Sequence, residues 1–157
     1  MIQITHDSIN KALDKIDNLS DEQLDQLITE YGEKQEDLLN YVLQAGIDFD
    51  NEEINTYSIY YFVVLYESFL QQGLHPEKIT DDQINDFQDP FLEALDAINS
   101  KDNYKPLQEL IGQVALQEFI VEDLEAEDED GSTLDEEMQS QLFIVSSAII
   151  GLLNEAV

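Results

Sequence analysis

The sequence predicts an all-α fold, and three observations carry that expectation. Apolar residues recur at helical spacing in one segment after another, as in Leu24, Leu27, Ile28 and Tyr31. Ser20-Asp-Glu-Gln23, Thr80-Asp-Asp-Gln83 and Thr133-Leu-Asp-Glu136 have the form of capping boxes. In each, a hydroxyl and a residue three places later can satisfy the first free amides of a helix. Tyr57 to Leu70 is apolar or aromatic at eleven of fourteen positions, and a helix apolar on nearly every side must be enclosed by others. No segment shows the alternation of a strand. The expected architecture is one acidic helical domain over residues 1–157, an irregular or solenoid-like bundle of about seven helices. Its interior is expected from a central helix over 51–72 and an apolar C-terminal helix over 134–155.

The remaining elements follow in order. Ile9, Ala12, Leu13 and Ile16 predict a first helix over 8–18, capped by Asp7 or Ser8. A second begins at Ser20 and should end or bend at Gly32. A third over 33–45 turns Leu38, Leu39, Val42 and Leu43 inward and should stop at Gly46. Gly73 and Pro76 end the central helix. A short helix follows Thr80. Asp89-Pro90 marks a fresh start, and Phe91, Leu92, Leu95 and Ile98 form its stripe. Pro106 opens a helix expected to run to 125. No exact internal repeat is present.

Composition restricts the function. Thirty-six acids face six lysines and no arginine, for a formal net charge of -30. Such a surface repels nucleic-acid phosphates and anionic membranes, and it favours basic partners and divalent cations. No direct nucleic-acid binding and no membrane association are expected. The absence of cysteine removes disulfides, thiolate metal sites and cysteine nucleophiles. The N-terminal segment lacks the basic start and apolar run of a signal peptide. The longest apolar run, Leu142 to Leu153, is too short for a span of about twenty residues. The expected location is cytoplasmic.

Two stretches are candidate sites. The first lies at 126–137, where Asp128, Asp130, Ser132 and Glu137 fall at the third, fifth, seventh and twelfth positions of a loop turning at Gly131. This resembles an EF-hand loop, although Ala126 stands at its first position and Thr133 at its eighth. The resemblance implies calcium held by those four residues. The same region is the most acidic of the chain: Glu122 to Glu137 holds ten acids, and no lysine follows Lys105. Glu127, Asp128, Glu129 and Asp130 are therefore the expected contact for a basic partner. The second stretch is the tyrosine cluster of the central helix. There Tyr57 and Tyr61, with Ser68, can line a pocket or simply pack inside.

His6 and His75 have no histidine or Glu-x-x-His neighbour that would make a metal face, and no phosphate loop, nucleophile elbow or dinucleotide fingerprint is present. The expected function is a non-enzymatic interaction protein that engages a basic protein partner, of the inhibitor, immunity or nucleic-acid-mimic type. No cofactor is expected in that reading. The alternatives are a divalent-cation-responsive module built on the 126–137 loop, with calcium as its ligand, and a carboxylate-based enzyme.

Overall fold

The computed structural model describes residues 2–157. Those residues form eight helices and no strand: α1 (His6–Asp17), α2 (Asp21–Lys34), α3 (Glu36–Asp48), α4 (Glu53–Gln71), α5 (Asp81–Lys101), α6 (Lys105–Ile111), α7 (Val114–Glu125) and α8 (Glu136–Glu155). α4 lies at the centre, against α1, α2, α3 and α8, while α8 also meets α5, α6 and α7. One hydrophobic cluster runs through all eight, with Phe62, Val64, Leu65 and Phe69 of α4 beside Ala148, Ile149 and Leu153 of α8 in its interior. Among the described residues no helix is long and apolar enough to cross a membrane.

Local chemistry accounts for the starts. Ser20 and Thr80 each form the expected reciprocal capping box with Gln23 and Gln83. α1 begins earlier than expected, because Thr5 rather than Asp7 or Ser8 accepts from the Ser8 amide at 3.2 Å. The box at Thr133 does not form. Asp135 caps α8 instead, accepting from the Met138 amide at 2.7 Å.

Three expected breaks are absent and one unexpected break is present. Gly32 and Gly46 lie inside α2 and α3. A side chain on Gly32 would meet Leu39 Cδ2 at 2.7 Å, and one on Gly46 would meet Asn55 of α4, so these glycines permit close approach and do not stop helices. Pro90 does not start a helix but lies within α5. Phe87 and Phe91 flank it with stacked rings, 5.2 Å apart, and both are buried. Packing thus holds both sides of the proline in one helix against its intrinsic cost. Conversely, the helix expected over 106–125 is two, divided where Gly112 takes the left-handed conformation at φ 71°.

The eight helices are two copies of one four-helix plan. Ile4-Thr5 enters α1 and Ile79-Thr80 enters α5, within the matching strings Ile-Thr-x-Asp-x-Ile-Asn. The eleven buried positions of α4, from Ile54 to Phe69, recur 84 residues later as the eleven buried positions of α8, from Met138 to Leu153. Leu38, Val42 and Gly46 of α3 likewise match Leu116, Ile120 and Leu124 of α7. Ile9, Ala12 and Ile16 of α1 match Ile84, Phe87 and Phe91 of α5. Buried Tyr31-Gly32, within the last turns of α2, matches Ile111-Gly112 at the end of α6.

The two halves also clasp each other. Buried Gln35, between α2 and α3, donates to Glu77 O at 2.9 Å and accepts from Ile79 N at 3.0 Å. Buried Gln113, between α6 and α7, donates to Ile2 O at 2.8 Å and accepts from Ile4 N at 2.8 Å. Each half's entry segment is therefore held by the other half's glutamine, the reciprocal arrangement of a two-fold pair. One clear difference between the halves is the link before the last helix, which covers residues 49–52 in the first half and 126–135 in the second. The acidic loop is the longer of these two links.

Candidate functional site

That longer loop folds back toward the first half. A cleft of about 720 Å3 lies where it meets α2 and α4, lined by Leu24 and Ile28, by Tyr57, Tyr60 and Tyr61, and by Asp123, Glu127, Asp128 and Ser132. The two stretches singled out in the sequence thus meet in one place. Tyr57 is exposed, and Tyr60 and Tyr61 stand beside it with ring centroids 5.8 Å apart. Tyr61 donates to Asp123 Oδ2 at 2.6 Å and packs edge-on against Phe119. Tyr60 donates to Asp17 Oδ1 at 3.3 Å. Of the residues expected for a pocket, Ser68 takes no part: it is buried and donates to Val64 O at 2.8 Å.

The loop is ordered by its own carboxylates. Asp128 N donates to Ser132 O at 2.8 Å, and Ser132 N donates to both Asp128 Oδ1 at 2.9 Å and Asp130 Oδ1 at 3.0 Å. Gly131 takes φ 82°, the turn its position in the sequence implied. Hydrogen bonding with Asp128 and Ser132 holds the exposed Asp130 carboxyl down to about 2. Of the residues expected to meet a partner, Glu127 and Asp128 line the cleft, whereas Glu129 and Asp130 do not. Of the expected calcium ligands, Asp128, Asp130 and Ser132 share the turn. Glu137 is in the first turn of α8 and accepts from Gln141 at 3.4 Å. Among the described residues no three histidine or acidic side chains are grouped as a metal ion would need.

Asp123 and Asp17, which hold the tyrosine hydroxyls, gave no signal in the sequence. Their roles depend on helices brought together only by the fold. The same holds for Glu67, the one buried acid among the described residues. Its carboxylate pairs with Lys15 Nζ at 3.0 Å, accepts from Gln71 Nε2 at 2.7 Å and accepts from the Tyr31 hydroxyl. Tyr31 in turn packs edge-on against Tyr66. These partners satisfy the buried carboxylate and leave it a structural group.

Burial raises the pKa of Tyr31 and Tyr61, and each is raised further by its hydrogen bond to a carboxylate. Burial pushes Tyr60 up to about 12, and it also raises Tyr41 and Tyr66. A folded phenol with a raised pKa keeps its proton after the unfolded chain has lost it. The associated stability is complete below the unfolded value of about 10 and is lost as pH climbs through the folded values. An absorbance titration at constant temperature should therefore show these five of the seven tyrosines silent near pH 10. They should ionise together only as alkaline unfolding is seen by circular dichroism. Seven tyrosines ionising near pH 10 in the folded protein would contradict this burial.

Comparison with protein-family models, with curated proteins and with solved structures finds no match to this chain.

Proposed function

We propose that the protein is a non-enzymatic acidic interaction module that engages a basic protein partner, as an inhibitor, an immunity protein or a mimic of nucleic-acid charge would. The observation that carries this reading is the cleft. Tyrosine faces and the carboxylates of Asp123, Glu127 and Asp128 line one concave surface, and no lysine is among them. A lysine or arginine side chain satisfies both parts, because its stem packs on aromatic rings while its cationic head meets carboxylates. The net charge of -30 draws such a partner in before contact.

The test separates steering from docking. A basic partner recovered from host extract at low salt is measured against the Glu127→Gln, Asp128→Asn, Glu129→Gln, Asp130→Asn protein and against Tyr57→Ala. The quadruple variant should associate about tenfold more slowly at low salt, with a smaller difference at high salt and unchanged helical circular dichroism. Tyr57→Ala should mainly speed dissociation, because it removes a contact and leaves the charge. An unchanged association rate and salt slope would remove the acidic loop from recognition.

A further inference from the structure

A second concave surface lies in the other half of the molecule. Two adjoining depressions, of about 520 and 610 Å3, share Tyr104, Val121 and Phe143 and so make one groove across the end of α5 and across α6, α7 and α8. Its lining is largely apolar, with Leu107, Val114 and Phe143 in one part and Leu95, Ile98 and Ile144 in the other. Much of it faces solvent: Val114 is 60% exposed, Tyr104 48% and Val121 39%. The internal symmetry relates it in part to the cleft, since Tyr104, Ser140, Phe143 and Ile144 occupy the positions of Leu24, Thr56, Ile59 and Tyr60. Over the first-half positions lies the ten-residue link, which contributes Leu134. The matching link, residues 49–52, does not line the groove, so the apolar surface there stays open.

We propose that this groove seats an amphipathic helix of a protein partner, apolar face down and rich in lysine and arginine along its flank. The charge beside the groove selects that occupant. Glu118, Glu122 and Glu125 of α7 line it, and their spacing places them in one row along the helix. Lys105, beside the groove, is paired with Glu109 at 3.8 Å, and exposed His6, a cation only when protonated, lies 3.5 Å from Glu118. A second copy of this chain would bring another net charge of -30 against that row, and an anionic membrane would be repelled in the same way. A basic amphipathic helix fills the floor with side chains at positions i, i+3, i+4 and i+7 and places its cations on the acids. The inference shares with the cleft reading the preference for a basic partner, but it concerns a different surface.

The experiment titrates the full chain with a synthetic helix carrying leucine on one face and lysine on the other. One control peptide has the leucines replaced by serine, and another has the lysines replaced by glutamate. Binding is read by fluorescence anisotropy at low and moderate salt. Only the leucine-lysine helix should bind well. Val121→Asp and, separately, Val114→Asp should each weaken it about tenfold, because both side chains are exposed in the free protein and covered in the complex. Glu118→Gln, Glu122→Gln and Glu125→Gln together should weaken it about tenfold at low salt and less at moderate salt. Glu127→Gln with Asp128→Asn, in the cleft, should weaken it less than the triple variant of α7 does, because those acids attract a basic helix from outside the groove. Equal binding of the serine-faced peptide would reduce the interaction to charge alone and overturn the proposal, as would equal binding of the glutamate peptide. Loss of binding only in the cleft variant would also overturn it, while leaving the cleft as the basic-partner site.

Discussion

Leu65→Asp is expected to abolish the cooperative thermal transition and most of the helical circular dichroism. Leu65 is fully buried in α4, the helix on which α1, α2, α3 and α8 converge. An aspartate there would carry an unpaired charge into the interior or take up a proton, at a cost of several kcal/mol. A domain holds only about 5 to 15 kcal/mol in total, and the same change also removes the packing of the leucine. Glu67, two residues further along, shows what a tolerated acid in this helix requires. It has Lys15, Gln71 and Tyr31 around one carboxylate, whereas Leu65 has only the hydrophobic cluster. Leu65→Ala separates the two contributions. It should cost about 2 to 5 kcal/mol from the cavity alone and still melt cooperatively. A Leu65→Asp protein with the wild-type melting temperature would place the interior elsewhere.

The central position of α4 and the apolar half of α8 were readable because each shows hydrophobicity on nearly every face, and only enclosure explains that in a helix not long and apolar enough to cross a membrane. Ser20 and Thr80 were readable as caps because the capping box is a contact over three residues. Glycine misled at Gly32 and Gly46, since a helix stop and a close helix crossing both call for a missing side chain. The decision between them lies with Leu39 and Asn55 across the crossing. Pro90 misled for a similar reason: its local preference is outweighed by the burial of Phe87 and Phe91 on either side. The duplication escaped because matched positions are separated by 75 residues in α1 and α5 but by 84 in α4 and α8, and what recurs is burial more than residue identity. Of the cleft, the acidic loop and the tyrosines were each readable. Their meeting was not, because Tyr61 and Asp123 are 62 positions apart.

Replacing either clasping glutamine with methionine should lower stability by about 2 kcal/mol, a fall in melting temperature of about 4 to 8 °C for a chain of this size. Methionine nearly preserves the shape, so the loss isolates the hydrogen bonds. Gln113→Met leaves the amide of buried Ile4 and the carbonyl of exposed Ile2 without their side-chain partner. Gln35→Met does the same to Ile79 and Glu77. The buried amides account for most of the cost, because water can reach the exposed residues' carbonyls. Gln113→Glu should be worse than Gln113→Met. A carboxylate still accepts from Ile4 N, but it cannot donate to Ile2 O, and it places a charge at a fully buried position. Thermal melts give the expected order: wild type, then methionine, then glutamate. Amide exchange checks the cause, because Ile4 should lose protection in the Gln113 variants and Ile79 in the Gln35 variant, each on the half opposite the substitution. Methionine variants that melt with the wild type and keep those amides protected would show that the halves are held together by their apolar helices alone.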